Sequence, residues 1–321
     1  MTTKIVYVLT SSSKDTYLEQ ALISAFSARL HNPDATLLVV TDRVTLDNLK
    51  GKRAEIKKYV TDFIVADIPA KYNNMQKSRY IKTNLRKFVK GNFLYIDCDT
   101  VIVDSLAEID DCKYELAAVY DSNRPHLIGD SGAISDRHIN SHTKTLGWPS
   151  VKGYPNYNGG VIFSKDTEKS HQFFTRWFEL WTKCTHQGVN IDMAALCRAN
   201  VELDCCIEEL PGIWNCQIQR QGLPLLPQAK IIHYFNSNNL TLYELCTDRV
   251  FEKIKSQGSL DEEIVELIKH AKTAFPRNTT IIKSEEAKLL NLPIIKLYYK
   301  NHTLFRILNK IAYLVLKYFK T

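Results

Sequence analysis

Short apolar runs rich in β-branched residues alternate with stretches whose apolar side chains recur at helical spacing, and this alternation limits the fold more than any other feature. Residues 5–9 (Ile-Val-Tyr-Val-Leu) read as a strand. Tyr17, Leu18, Ala21, Leu22, Ala25 and Phe26 then repeat as a helix until His31-Asn32-Pro33-Asp34 breaks the pattern. Residues 37–40 give a second buried strand and 46–59 a charged helix. Residues 75–89 give a helix with a basic face (Lys77, Arg79, Lys82, Arg86, Lys87) stopped at Gly91, and 93–96 another strand. Strands alternating with helices of this length predict a Rossmann-like, mainly parallel sheet flanked by helices, with right-handed crossovers. Ligands of such sheets bind beyond the carboxyl ends of the strands, so the residues just after these runs are the first candidates for function.

Beyond Tyr120 the pattern changes. Residues 121–158 are rich in Ser, Asn, Gly, Pro and His with little periodicity, which reads as a long functional loop or lid. Strand structure resumes at 161–163, residues 171–183 and 191–199 read as helices, and 231–235 as a late strand. At 321 residues, 45% hydrophobic and 24% charged, the chain suits one large α/β domain or two modest ones, and disorder, collagen and coiled coil are excluded. Its eight cysteines form no C-x-x-C pair and several lie in apolar runs, so free thiols are expected. The first residues carry no cleavable leader pattern, and the expected setting is cytoplasmic.

The net charge of +7 has a location. No acidic residue follows Glu286, whereas Lys288, Lys296, Lys300, Arg306, Lys310, Lys317 and Lys320 do; without those seven, 35 bases face 35 acids. From Thr303 to Lys320 the cations share one side of a helical pattern and Leu304, Phe305, Ile307, Leu308, Ile311, Leu314, Val315, Tyr318 and Phe319 cover the rest. A broad apolar surface with a cationic stripe suits a helix lying on an anionic membrane, here at the inner face, while nucleic acid calls for a denser basic surface and is not expected. The expected organisation is a catalytic domain over 1–250, a helical connection over 251–286 and a basic amphipathic tail over 287–321.

Between the apolar runs 93–96 and 101–103 stand Asp97 and Asp99, one residue apart. Burying either charge unpaired costs several kcal/mol by order of magnitude. Two carboxylates facing one point favour a hard divalent cation, Mn²⁺ or Mg²⁺, which held this way usually also binds substrate phosphates.

With these residues in place the chain resembles family 8 glycosyltransferases of the GT-A fold, in five ordered segments spread from Lys4 to about Asn236. The resemblance implies that Leu9, Thr10, Ser11 and Tyr17 hold a nucleotide, with the tyrosine stacked on uracil. Lys82, with Arg79 one turn earlier, would reach the donor diphosphate or sugar. Asp97 and Asp99, with Cys98 between them, would hold metal and donor. Asn158, in Asn156-Tyr157-Asn158-Gly159-Gly160-Val161, would stand near the donor sugar, as would Asp192 and Asp121. Trp214-Asn215 would precede a strand ending in a third metal ligand, His233. The implied activity is metal-dependent transfer of a sugar from a nucleotide sugar, UDP-linked by the resemblance, to a glycan or lipid-linked glycan with retained anomeric configuration.

Two departures stand out. Met193 occupies the place of the family's glutamine, and His233 is followed by Tyr-Phe-Asn-Ser-Asn-Asn rather than by a segment containing Lys-Pro-Trp, whose lysine grips the leaving diphosphate. A non-catalytic membrane-associated adaptor on the same scaffold is the alternative these changes leave open. A sugar-phosphate nucleotidyltransferase fits less well, because residues 10–14 (Thr-Ser-Ser-Ser-Lys) lack the glycines of a phosphate loop.

Overall fold

The structure, a computed structural model, describes residues 1–129, 134–235, 243–276 and 292–318. Its strands are β1 (Lys4–Leu9), β2 (Leu37–Asp42), β3 (Asp62–Ala66), β4 (Phe93–Ile96), β5 (Thr100–Ile102), β6 (Leu116–Tyr120), β7 (Tyr157–Ser164), β8 (Glu208–Glu209), β9 (Cys216–Gln217) and β10 (Ile231–His233). Seven of them form one sheet in the order β3-β2-β1-β4-β7-β6-β8, and β5-β10-β9 form a second. The first four strands of the large sheet are mutually parallel, and β7 runs antiparallel to both β4 and β6.

The central strands are apolar without interruption because both faces of the sheet are covered. Ile5, Tyr7 and Leu9 of β1 enter one apolar layer with Leu37 and Val39 of β2, while Val6, Val8, Leu38 and Val40 enter the other. Helix α1 (Tyr17–His31) packs in the first layer. Helices α2 (Arg43–Asp47), α3 (Asn74–Thr83), α4 (Leu85–Phe88) and α5 (Ile134–Thr145) follow along the chain, then α6 (Glu168–His186) and α7 (Met193–Glu202). Phe173, Phe174, Trp177 and Trp181 of α6 fill the second layer. Helices α8 (Asp248–Gln257) and α9 (Glu262–Lys269) return to the first layer through Val250, Phe251, Ile254, Ile264 and Ile268.

Three stretches differ from the sequence expectation. The helix expected over 46–59 is instead α2, capped by the Asp42 carboxylate on the Thr45 amide, followed by two 3-10 turns at Gly51–Arg53 and Glu55–Lys58. Gly51 sits at φ 55°, which ends helical continuity. The helix expected over 75–89 breaks at Asn84, whose φ of −120° lies outside the helical region, after an Asn73–Gln76 capping box has started α3. The expected loop over 121–158 contains α5. That helix buries Ser135, Asp136 and Thr143 beside Ile139, so its inner face is partly polar and apolar periodicity does not reveal it.

The chain divides into two compact units, 1–276 and 277–321. In the second, helices span Pro293–Lys300 and His302–Tyr318. Leu304, Ile307, Leu308, Ile311, Leu314 and Val315 are exposed on the longer one. Lys288, Phe319 and Lys320 lie outside the described residues. No described helix is long and apolar enough to cross a membrane. All eight cysteines are free.

Candidate active site

Strand β4 ends at Ile96, and the next amide, on Asp97, donates to the Gly160 carbonyl of β7 at 2.7 Å. The chain then turns through Cys98 and Asp99 into β5, which pairs antiparallel with β10 so that Thr100 lies opposite His233. This pairing brings a histidine from far along the sequence next to Asp99. His233 Nε2 lies 3.2 Å from Asp99 Oδ1, and one ligand atom from each of Asp97, Asp99 and His233 falls within 4.8 Å of the others. Two carboxylates and one imidazole form a donor set that Mn²⁺ accepts readily and Mg²⁺ accepts through its carboxylates.

The site is also built to keep its centre open. A Cβ on Gly160 would lie 2.4 Å from His233 Cε1 and 2.8 Å from Asp97 Oδ2, whereas one on Gly159 would make only ordinary contacts at 3.6 Å. Glycine at 160 is therefore a condition for the three donors to converge.

A chain of amides fixes the histidine. His233 Nδ1 lies 3.0 Å from Asn215 Oδ1; an amide oxygen only accepts, so Nδ1 carries a proton and Nε2 is the nitrogen that faces Asp99. Asn215 Nδ2 donates to Asn158 Oδ1 at 2.9 Å, which also accepts from the Gly160 amide, and Asn158 Nδ2 donates to Asp121 Oδ1 at 3.1 Å. Asp121 Oδ2 accepts from the Ser122 and Ser135 hydroxyls. Asn158 and Asp121 face the cleft, but their polar atoms are largely committed to this framework.

Opposite lies an ionic cluster. Lys82 Nζ is 3.2 Å from Asp97 Oδ1 and 3.7 Å from Asp192 Oδ2, and Arg79 Nε is 3.2 Å from Asp192 Oδ1. Tyr95 donates its hydroxyl to Asp97 Oδ1, and Lys82 lies 5.2 Å from the centre of the Tyr95 ring. Burial works against ionisation of Asp192, yet Lys82 and Arg79 hold its carboxyl below the ordinary value. Asp192 in turn raises the Arg79 guanidinium. Burial likewise opposes charge on Asp99, but His233, its own backbone amide and Lys82 hold it below the ordinary value.

Apart from Asn215 and Ser122, these groups line one cleft of about 620 Å³, together with Thr10, Tyr17, Cys98, Met193, Arg220 and Phe235. Tyr17 is 50% exposed there, so its ring is not the core residue that its helical position would also suit. Cys98 donates its thiol to the Val8 carbonyl, and burial pushes that thiol well above its usual pKa, which leaves it a packing group rather than a nucleophile. Leu9 and Ser11 do not line the cleft. The Leu9 side chain is buried in the core, and the Ser11 hydroxyl bonds Asp15 while accepting from Arg53. Sequence reasoning left Tyr95, Gly160, Asn215, Arg220 and Phe235 out of the site. Gly160, in the Asn156–Val161 segment, and Asn215, beside Trp214, carried a signal beforehand; Phe235, stacked on His233 with ring centres 3.9 Å apart, carried none.

No model of a known protein family and no curated protein sequence matches the chain. Solved structures do. The galactosyltransferase LgtC, solved with donor and acceptor sugar analogs, is similar at 14% identity and a TM-score of 0.50, over 82% of this chain and 99% of LgtC. The glycosyltransferase GlyE of Streptococcus pneumoniae TIGR4 is similar at 16% identity and a TM-score of 0.47, over 87% of this chain and 67% of GlyE. Mouse xyloside xylosyltransferase 1 follows at 12% and 0.47, over 72% and 97%. The sheet order and the likeness to LgtC along nearly its whole length give this chain the GT-A fold in the form seen in family 8-like glycosyltransferases.

Proposed function

We propose that the chain is a metal-dependent glycosyltransferase that takes a sugar from a nucleotide-sugar donor, UDP-linked, and passes it to a glycan or lipid-linked glycan. The observation that carries this reading is the convergence of Asp97, Asp99 and His233 at one end of a cleft whose wall also presents the half-exposed Tyr17 ring. Bound by those three residues, Mn²⁺ or Mg²⁺ would supply Lewis-acid neutralisation of the charge that gathers on a departing diphosphate.

The chain's own residues do the rest. Tyr17 offers an aromatic face to the base, and Thr10 lies beside it with its hydroxyl tied to the Asn74 carbonyl at 3.0 Å. Asn215 fixes the ring of His233, and Asn158 and Asp121 hold that support in register. Lys82 and Arg79 keep Asp192 ionised where the donor sugar would lie, so its carboxylate accepts hydrogen bonds from sugar hydroxyls. Met193 begins α7 in the same wall, and its thioether offers no amide oxygen and no nucleophile of useful strength. The resemblance to family 8 enzymes supports attack by the acceptor hydroxyl on the face that the diphosphate leaves, which gives an α-linked product from an α-linked donor.

The exposed apolar face of helix His302–Tyr318, with Arg306, Lys310 and Lys317 on it, supports a peripheral place at the cytoplasmic face of an anionic membrane. Release of UDP from UDP-sugars, measured with and without Mn²⁺, tests the catalytic reading: metal-dependent release supports it, and no release from any donor overturns it.

A further inference from the structure

We propose that Arg220 grips the donor diphosphate and takes up part of the leaving-group charge, a role that rests on the transferase reading above. The need for such a group follows from charge. As transfer proceeds, the bond from the anomeric carbon to the diphosphate oxygen breaks and its electron pair stays on that oxygen. The acceptor hydroxyl oxygen bonds the same carbon, and its proton passes to the diphosphate. A diphosphate carries more negative charge than one divalent cation neutralises, so a protein cation beside the metal ligands lowers the barrier.

The sequence after His233 does not supply it. The first cation in that direction is Arg249, and its guanidinium is paired with Glu263 at 2.7 Å. Within the cleft, Lys82 and Arg79 are engaged by Asp97 and Asp192. Arg220 and Lys14 face the same cleft and make no ion pair among the described residues, and of the two it is Arg220 that lies over Phe235, the ring stacked on His233.

Its position is set by the small sheet. Strand β9 pairs in parallel with β10, with Gln217 opposite His233, so the turn that follows β9 emerges at the edge where His233 and Phe235 emerge. Arg220 lies on that turn, its amide donating to the Gln217 carbonyl at 2.9 Å. Gln219 pins the turn to the end of β10 by donating to the Phe235 carbonyl at 2.8 Å. The Arg220 guanidinium lies 5.8 Å from the centre of the Phe235 ring, which stacks in turn on His233. Phe235 thus separates the cation from the imidazole and holds it over the cleft next to the metal ligands. A planar guanidinium there has the fork geometry for two phosphate oxygens at once.

Calorimetry on the full chain in Mn²⁺ tests this, with UDP and uridine as probes. Arg220→Ala should weaken UDP by about tenfold to a hundredfold, the loss expected for a charge-assisted contact, and leave uridine unchanged. Arg220→Lys should recover part of the loss, and the melting temperature should not move because the side chain is exposed. UDP affinity within about twofold of wild type in Arg220→Ala would overturn the arginine role while leaving the transferase reading intact. Equal weakening of UDP and uridine would overturn it too, since it would mean a damaged cleft. A wild-type chain that binds no UDP would remove both.

Discussion

The imidazole of His233 is held by Asn215: Nδ1 donates to Oδ1 at 3.0 Å, and Asn215 passes the constraint on to Asn158 at 2.9 Å. This second layer sets which nitrogen faces Asp99. Asn215→Ala should lower Mn²⁺ affinity about tenfold to a hundredfold. Paramagnetic titration of free Mn²⁺ reads it, and unchanged affinity would show that the ring orients itself without the amide.

Adjacent glycines should behave differently. In Gly160→Ala the new methyl meets His233 and Asp97, and a displacement on the order of 1 Å at the reacting centre costs roughly a hundredfold in rate. Gly159→Ala meets only Leu196 and Lys82 at ordinary distance and should keep most of its activity. Donor turnover by the two variants, compared side by side, checks the contrast; equal losses would count against the crowding.

Asp192 should shape acid stability. Its pKa is depressed in the folded chain by Lys82 and Arg79, so its contribution is present above the ordinary value of 3.8 and disappears as pH falls through the lower folded value. Asp192→Asn should flatten the acid limb of the stability curve and cost about 3 kcal/mol at neutral pH, because two cations lose a shared partner. Urea unfolding across that range measures both effects. An unchanged acid limb would mean that the cluster does not hold Asp192 ionised.

The C-terminal unit should carry membrane affinity. A chain ending at Glu286 loses seven cations, each worth roughly 1 kcal/mol near an anionic surface. In flotation with phosphatidylglycerol vesicles it should stay in solution while the full chain floats. Equal flotation would assign the affinity to the first unit.

The central strands and the acidic pair were legible in the sequence because burial on both faces of the sheet leaves uninterrupted apolar runs and makes a pair of carboxylates conspicuous at their end. His233 was legible only by resemblance, since nothing local in Ile231-Ile232-His233 says that β10 will lie against β5. Leu9 and Ser11 were drawn in by sequence proximity to Thr10. Strand alternation turns Leu9 into the core, and Arg53, from a separate turn, occupies Ser11. Helix α5 stayed hidden because Asp136 and Ser135 spend their burial on hydrogen bonds to His126, Asn156 and Asp121 instead of on apolar contact. Phe235 and Arg220 belong to the site through the pairing of β9 with β10, a long-range contact without a local signature, whereas Asn215 was legible only by resemblance, beside Trp214.

Asp99 is where the proposed metal site, the histidine and the cleft meet, and its removal is the sharpest probe of the transferase reading. UDP release from a panel of UDP-sugars should require Mn²⁺ in the wild-type chain and fall by roughly a hundredfold or more in Asp99→Ala, as expected when the charge on a leaving diphosphate goes unneutralised. Release that proceeds equally without metal, or that survives Asp99→Ala unchanged, would mean that the three converging residues serve some other purpose.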